Sequence, residues 1–186
     1  MVRKKYQPQI GIFTNMKVVI ETERLLLREF TELDANLIYE LNLDPDVTQY
    51  THDPVRDLAH AFEIVTEVIM PQYALYNHGR WAVHLKPSLQ FLGWCGLKYR
   101  PEVNEIDLGY RFRKEEWGKG YATEAAFASI RYGFEKLNLK VITGRAEIGN
   151  IASWKVLEKC GMTYIGIQEG DGYPVKTFEV SNPSVR

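Results

Sequence analysis

Residues 105–148 read as a strand, a tight loop, a helix and a second strand with almost no slack between them. Glu105–Phe112 alternates along its length and runs into a loop holding Gly118 and Gly120. Tyr121 to Leu137 then sets Ala122, Ala126, Ile130, Gly133 and Leu137 at helical spacing, and Asn138 suits the left-handed backbone that closes a helix. Lys140–Ile148 follows at once and is rich in β-branched residues. Such a strand–helix–strand unit implies a parallel crossover. Upstream, Trp81–Leu85 and Phe91–Tyr99 are set off by Lys86-Pro87-Ser88 and Pro101-Glu102-Val103-Asn104, turns short enough for an antiparallel meander with Glu105–Phe112. The chain is therefore expected to be α/β (α+β), with a mixed sheet.

The remaining segments fit around that frame. Arg24–Arg28 reads as a strand with charged ends, and Thr31 with Asp34 as a capping box. A helix over Ala35–Leu41 is expected to close at Asp44-Pro45. A longer one, from about Val55 to Tyr76, carries Leu58, Phe62, Val65, Ile69 and Tyr73 on one stripe and is kinked or ended by Pro71. Ile151–Cys160 is a short helix ended by Gly161, and Thr163–Gln168 with Val175–Val180 forms a hairpin. Residues 1–15 have no period and read as an N-terminal arm before a single domain, 16–186.

Composition narrows the function. Twenty-three Lys+Arg against 24 Asp+Glu leave a net charge of −1, which argues against a general nucleic-acid binder. Cys95 and Cys160 make neither a disulfide framework nor a metal knuckle; they read as buried thiols of a reducing cytosol. The apolar stretch after Met1–Lys5 is too short for a signal peptide, and no run of about 18 apolar residues would span a membrane. The expectation is a cytoplasmic protein with no metal, no membrane and no direct nucleic-acid partner, as a monomer or homodimer.

The segment Glu115-Glu116-Trp117-Gly118-Lys119-Gly120-Tyr121-Ala122-Thr123 carries the chemistry. Two glycines let the backbone approach a ligand, and the helix that starts there aims unpaired N–H groups and the positive end of its dipole into the loop. Such a place binds phosphate. Residues 111–120 hold Arg111, Arg113, Lys114 and Lys119 against Glu115 and Glu116, a local charge of +2, four minus two. The order of residues fits neither the dinucleotide fingerprint nor the P-loop.

Taken with Asp107-Leu108-Gly109-Tyr110-Arg111-Phe112 ("DLGYRF") before it and "NIASWKVLEKCGM" from Asn150 on, "WGKGYATEA" resembles the GCN5-related N-acetyltransferases (GNAT). "ETERLLLREFTELDA" and "GWCGL" are similar to the branch that acetylates ribosomal-protein N-termini, the RimJ/RimL type, so the likeness covers roughly Ile20 to Phe178. It implies a mostly antiparallel sheet of about seven strands, splayed at an acetyl-CoA site and flanked by about four helices. By position, the backbone of Tyr110, Arg111 and Phe112 would hold the pantetheine arm. The N–H groups of Trp117, Gly118, Lys119, Gly120, Tyr121 and Ala122, with the Thr123 hydroxyl, would hold the pyrophosphate. Asn150 would contact the pantetheine, and Ser153 is the candidate to protonate the leaving thiolate. The chain departs from the family pattern at Glu115, where Gln or Arg is usual, and at Leu157, where many members place a tyrosine proton donor.

The implied reaction is direct attack of an amine on the thioester. At pH 7 a protein α-amine is neutral at about the ten per cent level, and a lysine amine a few hundred times less often. An α-amine acceptor therefore needs little base strength, and Glu105 or Asp107, on one face of the strand, could orient a water for it. The oxyanion would find an N–H near Tyr110–Phe112, at a bulge beside Gly109. His52, His60, His78 and His84 read as surface or substrate-wall residues, and Phe30, Asp44, Tyr50 and the helix from Val55 as the acceptor side. A protein N-terminus is the expected acceptor; a small amine (polyamine, amino acid or antibiotic), or acyl-CoA binding without chemistry, are the alternatives.

Overall fold

The expected parallel junction lies in the middle of a mixed sheet. In this computed structural model residues 16–170 and 172–184 are described, so residues 1–15 lie outside it. The strands are β1 (Val18–Glu21), β2 (Leu25–Arg28), β3 (Arg80–Leu85), β4 (Phe91–Arg100), β5 (Glu105–Phe112), β6 (Val141–Glu147), β7 (Thr163–Glu169) and β8 (Pro174–Ser181), in the order β1-β2-β3-β4-β5-β6-β8-β7. Every neighbouring pair is antiparallel except β5–β6. That is one strand more than the pattern showed: β1 is a four-residue edge strand with a register shift between Val18 and Ile20, too short to carry a clear alternation.

The helices are α1 (Ala35–Leu41), α2 (Pro45–Thr48), α3 (Leu58–Glu63), α4 (Met70–Tyr76), α5 (Tyr121–Glu135) and α6 (Ile151–Lys159). Asp44-Pro45 does not merely close α1. The Asp44 carboxylate accepts from the Asp46 N–H at 2.9 Å and Pro45 takes the first helical position, so the pair starts α2. The long helix begins at Leu58, where Asp57 caps it by accepting from the His60 N–H at 2.8 Å. Between α3 and α4 it widens into π-helical turns over Ile64–Ile69. Pro71, just beyond, has no N–H to give and crowds the preceding turn, and the wider turns relieve that crowding without breaking the helix. Thr31 and Asp34 form the expected capping box, with Thr31 N–H donating to the Asp34 carboxylate at 2.8 Å.

The two faces of the sheet are covered by different parts of the chain. Cys95 on β4 meets Ser129 of α5, whereas its neighbour Trp94 points the other way, between Arg80 and Arg111. Arg111 in turn reaches Asn42, just past α1. Leu25, Leu27, Trp81, Leu92, Leu97, Leu108, Ile142 and Phe178 fill the core, where Trp81 meets Tyr132 of α5 edge to face at 5.5 Å. Both cysteines are free and buried, and burial pushes the Cys95 thiol up to about 12 and that of Cys160 up to about 11, which leaves them inert. Among the described residues no helix is long and apolar enough to cross a membrane.

A buried histidine gives this fold an acid limit. His84 donates from Nδ1 to the Leu89 carbonyl at 2.9 Å, while its Nε2 is buried without a partner among the described residues. Burial first, then the nearby Arg28 charge, pushes its pKa down to about 4. The unfolded chain binds this proton near pH 6.5 and the folded one does not, so stability is full above 6.5 and falls as pH drops towards 4. The loss is on the order of 3 kcal/mol. Urea unfolding of wild type and His84→Asn between pH 7 and pH 4 checks this: the variant, which keeps a donor for Leu89, should lose stability less steeply. Equal slopes would refute it.

Candidate active site

β5 and β6 run side by side for only two residue pairs, Asp107–Thr143 and Leu108–Gly144, although the strands continue to Phe112 and Glu147. Beyond Leu108 they diverge, and the first turn of α6 stands beside the gap. There the Tyr110 hydroxyl donates to the Ser153 carbonyl at 2.7 Å. From Gly109 on, the edge of β5 facing β6 has no strand partner, so its amide and carbonyl groups are open to an amide-bearing ligand. The register of β5 on β4 is unbroken from Glu105 to Phe112, so the bulge expected beside Gly109 is absent. Gly109 serves another need: a Cβ there would lie 2.5 Å from Arg80 Nη2, so the glycine lets that guanidinium cross the strand to Asp107.

A cleft of about 560 Å³ opens along this divergence. Tyr110, Arg111 and Phe112 line it from β5, Trp117, Gly118 and Gly120–Thr123 from the loop and the start of α5, and Asn150 and Ser153 from α6. The sequence reading placed all of these in one site, and the structure brings them together. Gly118 and Gly120 hold left-handed backbone, with φ of +74° and +82°, which only glycine adopts freely. That geometry delivers the chain into α5 with the N–H groups of Tyr121, Ala122 and Thr123 unpaired within the helix, on residues that line the cleft. Arg24 fixes the loop from behind: Nη1 donates to the Lys119 carbonyl at 3.0 Å, and Nε to Glu124 of α5 at 2.6 Å.

Other expected residues stand apart. Lys119 does not line the cleft; its Nζ pairs with Glu116 at 3.0 Å. The rest of the +2 segment is also neutralised, Arg111 by Asp53, Arg113 by Glu40 and Lys114 by Asp46. Glu105 and Asp107 lie outside the cleft, held by Arg145 and Arg80 respectively. Two cations that the sequence reading missed do line it: Lys155 and Lys159, one turn apart on α6 and without an ion-pair partner among the described residues. Helical spacing from Ala152 through Val156 to Lys159 could have found that face. Tyr50 and Thr51, beyond α2, also line the cleft, whereas Phe30 and Asp44, grouped with Tyr50 on the expected acceptor side, do not; Phe30 is buried in the core.

At the inner end, Asn150 caps α6 by accepting from the Ser153 N–H at 3.1 Å. The Ser153 hydroxyl donates to Tyr110 Oη at 3.2 Å. Burial lifts the Tyr110 phenol far above its ordinary pKa, so it stays protonated and can both donate and accept.

The family profile described as Acetyltransferase (GNAT) domain matches residues 24–163 of this chain. The chain belongs to the GNAT acetyltransferase family. It is 31% identical over 148 residues to the uncharacterized N-acetyltransferase p20 of Bacillus licheniformis, an alignment covering 78% of this chain and 83% of that protein. Among solved structures it is similar to a GNAT-family acetyltransferase from Bacillus anthracis, at 24% identity and a TM-score of 0.75, covering 88% of this chain and 98% of the other. The ribosomal L7/L12 α-N-protein acetyltransferase RimL, solved with coenzyme A, superposes with a TM-score of 0.76 at 15% identity, over 89% of this chain and 98% of RimL. The family and these relatives make the protein an acyltransferase acting on nitrogen, and the splayed eight-stranded sheet of the described residues is the GNAT fold.

Proposed function

We propose that the protein transfers the acetyl group of acetyl-CoA to a protein N-terminal α-amine. The observation that carries this reading is the divergence of β5 from β6, with unpaired N–H groups of α5 at one end and the Ser153–Tyr110 hydroxyl pair at the other. Acetyl-CoA would supply an acyl group activated as a thioester. The free edge of β5 would hold the amide-bearing arm, the start of α5 and the lysines 155 and 159 the phosphates, and the Ser153 hydroxyl would give its proton to the departing sulfur. RimL, named for a ribosomal-protein α-amine, supports an N-terminal acceptor. So does the fact that near neutral pH an α-amine has a far larger neutral fraction than a lysine amine.

Thiol release over a panel of Ala- and Ser-led peptides, polyamines, amino acids and aminoglycosides tests this directly. Peptide turnover that stops when the α-amine is blocked is the expected result. Turnover of small amines alone would move the acceptor class, and tight acetyl-CoA binding with no turnover would leave a binding module. The donor side has its own test in Gly120→Asp, which forces a side chain onto backbone at φ +82° and puts a carboxylate at the phosphate end. Calorimetry should show acetyl-CoA affinity falling on the order of 100-fold, about 2.7 kcal/mol. Affinity within threefold of wild type would remove the phosphate role of this loop.

A further inference from the structure

The loop between α2 and α3 grips both of the diverging strands with consecutive side chains. His52 Nε2 lies 2.8 Å from Glu147 Oε2, on the last residue of β6. Asp53 accepts two bonds from Arg111 Nη2, at 2.7 and 2.9 Å, on β5. Continuing the register from Asp107–Thr143 sets Arg111 across the gap from Glu147. Residues 52 and 53 therefore span the open end of the sheet on the face that α5 does not cover. Their neighbour Tyr50 lines the cleft and would lie 3.3 Å from a Cβ at Gly149. His52 itself holds left-handed backbone, φ +52°, uncommon for a residue with a side chain, and its ring lies 4.5 Å from that of Tyr173.

We propose that His52, backed by Glu147, receives the proton of the acceptor amine. The inference rests on the acetyltransfer reading above. Glu147 accepts from Nε2–H, which fixes the tautomer and leaves the lone pair of Nδ1 free. The amine lone pair forms the C–N bond to the thioester carbon, and the C–S bond breaks with its electron pair on sulfur. The proton shed by nitrogen goes to His52 Nδ1 and from there to solvent; sulfur takes the proton of Ser153, which solvent restores. Glu147 stabilises the imidazolium while it lasts. The charged and titratable groups around the ring are Glu147 and, on the same face of β6, Arg145; Asp53 with Arg111; and the phenols of Tyr50 and Tyr173. Glu105 and Asp107 each have a guanidinium at close range, whereas the His52 side chain, itself off the cleft lining, is half exposed and follows directly on Tyr50 and Thr51, which line it.

Two variants test it, assayed with whichever peptide or small amine the wild type acetylates fastest. His52→Gly suits the positive φ and removes the ring; Glu147→Gln keeps the shape and removes the charge. The expected result for His52→Gly is a kcat about 100-fold lower, an unchanged acetyl-CoA affinity by calorimetry, and partial recovery on adding imidazole. Glu147→Gln should lower kcat about tenfold at constant acceptor KM, and more for high-pKa amines than for low-pKa ones. His52→Gly within threefold of wild type, or a loss that imidazole does not relieve, overturns the proposal. A wild type silent toward every amine would remove the acetyltransfer reading itself, and this inference with it.

Discussion

Arg28→Ala should cost about 3–5 kcal/mol of folding stability, the range for breaking a buried ion pair by removing one partner. The pair is buried on both sides, with 5% and 10% side-chain exposure for Arg28 and Asp34, and doubly bonded at 2.7 Å for each contact. Arg28 ends β2 and Asp34 sits at the head of α1, so the pair ties the first helix to the sheet. Burial alone would raise the Asp34 carboxyl; the Arg28 guanidinium, together with the two Thr31 bonds, outweighs it and holds the group below its usual range. Truncating the arginine leaves a carboxylate inside the protein with only Thr31 to bond it. A typical domain has about 5–15 kcal/mol in all, so the variant should show a much lower urea midpoint. Because the folded carboxyl is depressed, the pair's contribution is present above about pH 4 and is lost as pH falls through the lower, folded value. Replacing both residues by Leu and Met should lose far less than either single change, since no charge is then stranded. A loss under 1 kcal/mol for Arg28→Ala would mean that water reaches the site.

Ser153→Ala is expected to lower kcat about 100-fold while leaving acetyl-CoA affinity within a factor of three. A thiol with a pKa near 8.5 is already a fair leaving group, so the effect belongs at the low end of the 10²–10⁴ range for proton transfer. The Ser153 backbone N–H is bonded to Asn150, so loss of the hydroxyl does not disturb the cap of α6. Tyr110→Phe separates donation from orientation. It removes the acceptor of the serine's hydrogen bond and the donor to the Ser153 carbonyl, and should cost about tenfold. Steady-state kinetics beside calorimetry decides it. An unchanged kcat for Ser153→Ala would hand the proton to solvent.

Much of this architecture was legible in the chain because its signals are local. The crossover from β5 through α5 to β6, the β3–β5 meander, Gly161 after α6 and left-handed Asn138 all rest on short-range periodicity or on single residues with narrow backbone preferences. The cofactor-side residues were legible for the same reason, since glycines, a helix start and an Asn-capped turn lie within one or two short segments. What the sequence hid is pairing at a distance. The partners of Arg111, Arg113 and Lys114 lie 58, 73 and 68 residues upstream, so a run that counts as +2 in one dimension is compensated in three. His52 and Glu147 are 95 residues apart and meet only because the α2–α3 loop crosses the sheet. Asp44-Pro45 shows a different limit: the same dipeptide that stops one helix can start the next, and only the space beyond it decides which.

With β5 and β6 joined by two residue pairs, the ladder of backbone hydrogen bonds is nearly cut at the centre of the sheet. β5 and β6 stay in contact beside that short ladder, and continuity is reinforced by α5, which packs on β4, on β5 and on α6. Its contact face is built from Ala125, Ala126 and Ser129, all fully buried, and side chains that small leave no slack. The molecule is thus two half-sheets held together by their own junction and by one helix. At those three fully buried positions a single added methylene would be felt by the neighbouring elements.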